Sequence, residues 1–430
     1  MKTVAQNLSV LLVVQLSSVG VAQAAGFALI EQSASGIGNA FAGAAATAED
    51  ASTIFFNPAG MAYLPDNQLV VAGHALKSTV DFTNNGSHQA RGLATLGGNG
   101  GDAGDWAYLP NVYFAKGIHP KAKLGIGVNS PFGLKSNYDN GWVGRYQALK
   151  SQLKTININP SLSYQANDWL SLGLGFSAMW AQADLTNSVD FGSLLRVPQK
   201  LDGQAELKGE NWSWGWNLGA MFQITPATRA GLAYRSQVHL NLEGYVAFSA
   251  VPRPLIPLFY TGNATAKLAT PDNVSASIFH QLNDHWDVMA DLTWTHWSTF
   301  RDLTPMRTSG VPLSYTPENW NDAVRASLGT SFHYNENLKL RTGFAYDESP
   351  VSSAYRTPRI PDSDRFWLSI GANYKLTPLS SVDFGYTHIF VANSSINKMT
   401  DASVPELRDT VSGSYSSSID ILSVQFTHTF

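Results

Sequence analysis

The sequence predicts an all-β protein, a transmembrane antiparallel β-barrel of about 14 strands. Three observations predict it: a period-two alternation that runs through most of the chain, connections that alternate between short and long, and a composition low in charge and rich in aromatics. Charged residues make up 14% of the 430, aromatics 11%, with 12 Trp, no Cys and a net charge of −4. Soluble domains carry roughly 25% charged residues. Zero Cys excludes a disulfide framework and Cys-ligated metal. The small net charge argues against a nucleic-acid partner.

The elements follow in chain order. Residues 1–24 read as a secretory signal peptide: Lys2, the apolar run LSVLLVVQL and the small-residue site VAQA, with cleavage expected near Ala24/Ala25. The apolar run is too short for a membrane anchor, and no 18-residue apolar run exists elsewhere. Residues 25–66 are rich in Ala and Gly and contain the apolar run Ile54-Phe55-Phe56 followed by Asn57-Pro58-Ala59-Gly60. Pro58 removes a backbone donor and turns Asn57 away from helical geometry. A short periplasmic linker would be more polar. Small residues, large apolar side chains and a fixed bend suit a segment packed inside something.

From residue 67 to 430 the period is two. In 229–243, Ala230, Leu232, Tyr234, Val238, Leu240 and Leu242 fall on one face, and Arg229, Arg235, Gln237, His239, Asn241 and Glu243 on the other. Strands are expected to start near 68, 106, 121, 145, 169, 205, 229, 264, 286, 321, 338, 366, 382 and 414. HPK, QAND, TPAT, ND, NEN and TPLSS are tight turns, and 83–105, 186–204, 247–263, 303–319, 347–364 and 391–413 are long loops. A soluble sandwich or propeller would use strands of about five or six residues. Here many reach ten or more, the length of a tilted membrane strand. Trp169, Trp180, Trp212, Trp214, Trp286 and Trp294 sit near strand ends, as aromatic girdles do. The last strand ends on Phe430, a terminal aromatic of the kind read by outer-membrane barrel assembly machinery.

Catalytic and cofactor chemistry is not legible. No Walker loop, metal-spaced His pair or nucleophile elbow occurs, so no enzyme, cofactor or metal is expected. GLGFSA at 173–178 matches a dinucleotide pattern but sits inside an alternating strand, where its glycines give lumen space. Asp362-Ser363-Asp364 is a calcium candidate or a plain turn.

The ordered segments AGFALIEQSASGIGNAFAGAAATAEDASTIFFNPAGMA, GFSAMWAQADL, WGWNLGAMFQI, LAYRSQVHL, LRTGFAYDESPV and IPDSDRFWLSIGANYKL resemble the FadL family, the outer-membrane long-chain fatty acid transporters, over nearly all of 25–430. The resemblance implies that 25–66 is a small hatch folded inside the barrel lumen, with Asn57, Pro58 and Ala59 as its motif. It implies passive import of hydrophobic compounds, with a sideways exit through a kink in the third strand that faces the hatch. The residues themselves mark that strand as weak, because Gly125 and Gly127 loosen it and Pro131 cannot donate to a ladder.

Phe27, the first large apolar residue after the expected cleavage, is a candidate to close or line a ligand pocket. Leu255, Ile256, Leu258 and Phe259 in an extracellular loop are candidates for ligand contact or for packing against 191–197. The family places basic side chains where the carboxylate binds, and Gln182 stands where one is expected. Arg235, Arg325 and Arg341 fall on lumen faces and either substitute or pair with Asp287, Asp291 or Glu243. Uncharged aromatic hydrocarbons, which other members import, are the alternative ligand. An outer-membrane lipid enzyme is the alternative from another class, and an apolar hatch argues against a water-filled porin. Expected partners are these hydrophobic molecules, outer-membrane lipid and lipopolysaccharide, and the assembly machinery. A monomer is expected.

Overall fold

The computed structural model describes residues 26–90 and 92–430. The signal peptide and its cleavage site lie outside the described residues. Fourteen antiparallel strands close into a barrel. They are β1 (Asn67–Asn84), β2 (Trp106–His119), β3 (Ala122–Asn129, resuming at Gly133–Asn137), β4 (Lys150–Gln165), β5 (Leu170–Asp190) and β6 (Asp202–Thr225). Then come β7 (Thr228–Arg235, resuming at Val238–Ser249), β8 (Gly262–Thr270, resuming at Asn273–Gln281), β9 (Trp286–Thr295) and β10 (Ala323–His333). The last four are β11 (Leu338–Asp347), β12 (Arg365–Thr377), β13 (Ser380–Met399) and β14 (Thr410–Thr429). Closure comes from β1 pairing with β14, from Gln68↔Thr429 to Asn84↔Gly413. Outward positions carry exposed Leu, Val, Ile, Phe and Trp, as a lipid-facing band requires.

The expected starts locate every strand, but the loop bounds need correction. The strand β5 runs to Asp190 and β13 to Met399, into stretches expected to be loop, and β4 begins at Lys150 rather than near 145. These strand ends are mostly Asn, Ser, Thr and Asp with only scattered apolar residues such as Val189 and Ile396, so hydropathy does not announce them.

Residues 26–66 pack against the lumen faces of the strands. The first helix, α1 (Ala34–Gly38), is capped by Ser33, whose hydroxyl accepts from Gly36 N at 3.1 Å. A second turn, α2 (Thr53–Phe56), leads into a 3-10 helix over Pro58–Tyr63. Inward-facing glycines make the contact possible. A Cβ on Gly173 would lie 2.2 Å from Ala59 N, one on Gly343 2.2 Å from Asn39 O, and one on Gly231 1.9 Å from Ala45 O. Hydrogen bonds then fix the fit: Asn39 Nδ2 donates to Thr330 O at 2.7 Å, and Ala34 N to Gln425 Oε1 at 3.0 Å.

Three strands slip phase at the same stroke as they break. Below the breaks, Gly125 and Gly127 of β3, Gly231 and Arg235 of β7 and Ser277 of β8 face inward, while Leu124, Leu232 and Val274 face lipid. Above them, Phe132 and Leu134, then Val238, Leu240 and Leu242, then Ala264, Ala266 and Leu268 are buried inside. A one-residue slip sends every later side chain to the opposite face. This corrects the reading of 229–243 as one continuous alternation: Val238, Leu240 and Leu242 do not share a face with Leu232 and Tyr234. The breaks fall at Pro131, at Ser236-Gln237 and at Pro271-Asp272, and a Pro removes a ladder donor at two of them. Where β6 and β7 lose register, six residues (211–216) oppose seven (236–242). Side chains cross this seam instead: Asn211 Nδ2 donates to Asn241 O, and Ser213 Oγ to His239 O, each at 2.6 Å.

Candidate functional site: a series of lumen cavities

The slipped residues build an apolar core in the outer half of the barrel. Phe27 sits at its centre, 2% exposed. Its ring meets Trp297 edge-on at 4.6 Å, Phe300 and Trp320 at 5.7 Å, and Phe132 at 6.0 Å. Gly26 permits this approach. Its φ is +64°, and a Cβ there would lie 2.6 Å from the Trp320 ring and 2.8 Å from that of Trp297. Gly26 N donates to Asp362 Oδ2 at 2.9 Å. Asp362 also pairs with Arg365 and accepts from Ser349 Oγ. Residues 361–364 do not form the expected turn, and Asp362 anchors the N-terminal segment.

Three cavities lie in series. The outer one, about 400 Å³, opens among the extracellular loops and is lined in part by Tyr146, Phe248, Phe259, Leu313 and Tyr315. The inner one, about 70 Å³, is lined by Phe27, Leu134, Leu153, Leu242, Leu268 and Phe300. Leu185, Leu207, Leu303 and Arg359 border both. A third, about 130 Å³, lies past Phe27 and Phe132 and is lined by Ala28, Pro131, Phe132, Trp297, Arg235 and Arg325. The inner cavity is far below the roughly 300–1,000 Å³ of sites that enclose a drug-sized ligand, so a long ligand must displace a side chain to pass.

The third cavity abuts the break in β3. The upper half, Gly133–Asn137, pairs only with β4, while β2 pairs with β3 only from Val112 onward. The free edge is taken by the N-terminal segment: Leu29 N donates to Pro131 O and Gly133 N to Phe27 O, both at 2.8 Å. Above it, Asn137 N reaches Ala103 O at 2.9 Å and Lys135 pairs with Asp105 at 2.5 Å. The wall is therefore interrupted between β2 and β3, as the sequence suggests. The expected facing partner is wrong. Asn57-Pro58-Ala59 packs against β5 and β6, where Asn57 Nδ2 donates to Ala45 O at 2.7 Å and Ala220 O at 3.1 Å. The opening faces residues 27–32 instead. Gly125 and Gly127 are not part of it, and they make room for Ile54, Met61 and Tyr113.

The three arginines are inside, and of the expected carboxylates only Asp291 interacts with one of them, Arg325. Arg341 pairs with Asp383 at 2.7 Å and with Glu49, so it ties the hatch to the wall. Arg325 donates to Ala40 O at 2.6 Å, with Asp347 and Asp291 in its electrostatic neighbourhood. Arg235 donates to Phe55 O at 2.7 Å and stacks on the Phe55 ring at 4.2 Å. Asp287 pairs with His333 at 2.6 Å and Glu243 points outward. Gln182 is not a lumen residue: it faces outward and donates to Glu210 at 2.9 Å.

Leu255 and Phe259 pack with Phe191, whose ring is 4.9 Å from that of Phe259, and Phe259 also borders the outer cavity. Ile256 and Leu258 are exposed. Sequence reasoning missed Phe132, Trp297, Phe300, Trp320 and Arg359. Arg359 holds Ser151 Oγ at 3.1 Å and Asn187 Oδ1 at 3.3 Å, between the outer and inner cavities. Opposite it, burial pushes the Glu318 carboxyl up to about 7, against the pull of the Trp320 Nε1–H bond at 2.9 Å and of Lys398 and Arg359.

The sequence profile of the family "Outer membrane protein transport protein (OMPP1/FadL/TodX)" matches residues 15–430. The chain belongs to this family. It is 34% identical over 415 residues to "Outer membrane protein P1" of Haemophilus influenzae, covering 89% of this chain and 90% of that protein. It is 32% identical over 411 residues to the "Long-chain fatty acid transport protein" of Escherichia coli K12, covering 88% and 90%. Among solved structures, a Pseudomonas aeruginosa FadL homologue superposes with a TM-score of 0.89 at 25% identity, covering 94% of this chain and 99% of that one. The Ralstonia pickettii toluene transporter TbuX gives 0.65 at 21% identity, covering 92% and 98%, and shares the fold. As an outer-membrane transporter of hydrophobic compounds this FadL-family chain is not an enzyme, and the lipid-enzyme alternative falls.

Proposed function

We propose that the protein imports long-chain fatty acids and releases them sideways into the bilayer. The observation that carries this is the series of cavities, which leads from the extracellular loops past Arg359 and Phe27 to the broken edge of β3. A carboxylate leaving water needs a cationic or hydrogen-bonding partner. Arg359 stands at the boundary where the head group would pause while the tail occupies the apolar side. Each methylene returned to water costs roughly 0.8 kcal/mol, so an exit through the wall is cheaper for such a tail than an aqueous one. The relative named for long-chain fatty acids supports the same ligand.

Deletion of residues 130–132 tests the exit. Asn129 faces in and Leu134 faces in, so the deletion joins Asn129 to Gly133 and keeps every later side chain on its present face. Oleate uptake by cells with no other such transporter should then fall to background, while the barrel still migrates as a folded species. Wild-type uptake would refute the lateral route. Arg359→Met should lower oleate uptake and spare toluene. The reverse pattern would favour aromatic hydrocarbons, the second reading. That reading rests on the cluster of five rings, Phe27, Phe132, Trp297, Phe300 and Trp320, of which Phe27 and Phe300 line the cavity of only about 70 Å³ and Phe132 and Trp297 line the third cavity.

A further inference from the structure

The outer wall carries a feature that the passage of ligand does not use. Lys135 of β3, Lys150 and Lys154 of β4 and Lys208 of β6 all fall on outward-facing positions at the long-loop end of four adjacent strands. The register brings them together: Lys135 and Asp184 both oppose Gln152, and Asp184 opposes Lys208. Lys154 has Lys150, Lys135 and Lys208 in its electrostatic neighbourhood, with the Asp184 carboxylate as the nearest opposing charge. That carboxylate is already engaged by Lys150 at 2.6 Å, and Lys135 is held by Asp105. Glu210, beside Lys208 on the same face, accepts from Gln182. Among the described residues, Lys154 and Lys208 form no ion pair. Immediately below, on the same strands, Trp180, Phe176 and Trp214 face outward, the last two with rings 5.4 Å apart.

We propose that this face binds a phosphorylated, multi-acyl glycolipid of the outer leaflet, the lipid A part of lipopolysaccharide. Lys135 and Lys150 have carboxylate partners in Asp105 and Asp184, whereas Lys154 and Lys208 have no ion pair among the described residues although Glu206 and Glu210 lie on the same face, and fixed phosphates give these two ammonium groups charge-assisted hydrogen bonds. The cluster spans three strand spacings, roughly 15 Å, which suits phosphates on two linked sugars better than a single one. The aromatic and apolar surface under the lysines takes acyl chains at the depth where a membrane lipid presents them. An ordinary anionic phospholipid offers one phosphate and two chains, and covers less of both.

The test uses the full-length protein in detergent after removal of bound lipid. Binding is measured by native mass spectrometry against bisphosphorylated hexa-acyl lipid A, the same lipid without phosphates, and phosphatidylglycerol. Wild type should retain the bisphosphorylated lipid and prefer it over both others. Replacing Lys150, Lys154 and Lys208 together by Gln should weaken retention roughly tenfold or more, since each basic side chain near an anionic lipid surface contributes comparably. Replacing the same three by Arg should keep it, which separates charge from fold damage. The double variant Lys116→Gln/Lys121→Gln, at the short-turn end, should bind as wild type. Equal binding by the triple Gln variant, or equal retention of the phosphate-free lipid or of phosphatidylglycerol, would overturn the proposal.

Discussion

Replacing Phe27 by Ala should undock the N-terminal segment without unfolding the barrel. The segment is held by three backbone donors: Gly26 N to Asp362 at 2.9 Å, Leu29 N to Pro131 O and Gly133 N to Phe27 O, both at 2.8 Å. Each such bond contributes about 1 kcal/mol net. The Phe27 ring touches four other rings in a fully buried site, and loss of a buried Phe side chain costs about 3–5 kcal/mol. The ring therefore contributes as much as the three hydrogen bonds together. At 1.4 kcal/mol per decade, its loss shifts docking by roughly 10² to 4 × 10³-fold.

Amide hydrogen exchange reads that shift directly at Leu29 and Gly133, whose N–H groups are buried only while the segment is docked. Both should exchange at least about a hundredfold faster in the variant. Amides of the β1–β14 seam should not change, because Phe27 touches neither strand. Oleate affinity should fall roughly tenfold, since the inner cavity loses an aromatic wall and opens toward the third cavity. Heat-resistant migration in detergent should persist. Unchanged exchange at Leu29 and Gly133 together with wild-type affinity would refute the assignment of Phe27 as the side chain that separates the two cavities.

Two further outcomes follow from other contacts. The Glu318 carboxyl is pushed by burial from 4.5 to about 7, so the folded loop holds a proton that the free group would release. Its contribution is fully present below pH 4.5, is lost as pH rises toward 7, and amounts to on the order of 3 kcal/mol at most. Exchange of amides 316–320 should therefore be slower at pH 5 than at pH 8 beyond the intrinsic rate difference, and Glu318→Gln should remove that excess; its survival in the variant would refute the assignment. Gly219→Ala should displace the hatch, because its Cβ would lie 1.9 Å from Asn57 Oδ1. Limited proteolysis within 40–60 should then accelerate while the strands stay protected, and an unchanged cleavage pattern would count against the close contact.

The strands were legible because lipid on one side and a filled lumen on the other force alternation over ten or more residues. The break in β3 was legible too, since Pro131 interrupts the ladder chemistry in plain view. The inner cavity was not. Part of its wall, Leu242, Ala264, Ala266 and Leu268, comes from β7 and β8, whose phase slips at Ser236-Gln237 and Pro271-Asp272, and a window that spans a slip still shows apolar residues at regular spacing. Val238, Leu240 and Leu242 thus read as lipid-facing when they are buried in the inner apolar core, where Leu242 lines the pocket. The arginines were placed correctly inside, yet their partners Glu49, Phe55 and Ala40 belong to the hatch, which alternation says nothing about. Arg359 sits in a loop, where periodicity gives no direction at all.

The slips also explain how one barrel holds two unlike interiors. In the lower half, inward positions are Gly, Ser, Asn and Arg, because they must fit and bond a hatch with many backbone groups to satisfy. In the upper half the hatch is present only as residues 26–30, and the same lining would face water. Turning the apolar face of β7 and β8 inward at that height removes water from the pocket and turns His239, Asn241, Glu243 and Lys267 outward, above the apolar band. The cost is a seam between β6 and β7 with no matched register, closed by Asn211, Ser213 and Ser236. At the third slip, in β3, the unpaired edge of Pro131–Gly133 is instead satisfied by residues 27–29. That edge differs from the other two in kind. Side chains of the wall itself seal the β6–β7 seam, whereas the β3 edge is sealed by the N-terminal segment, so on the proposed lateral route a ligand that displaced Phe27 would remove the seal and the pocket wall in one movement.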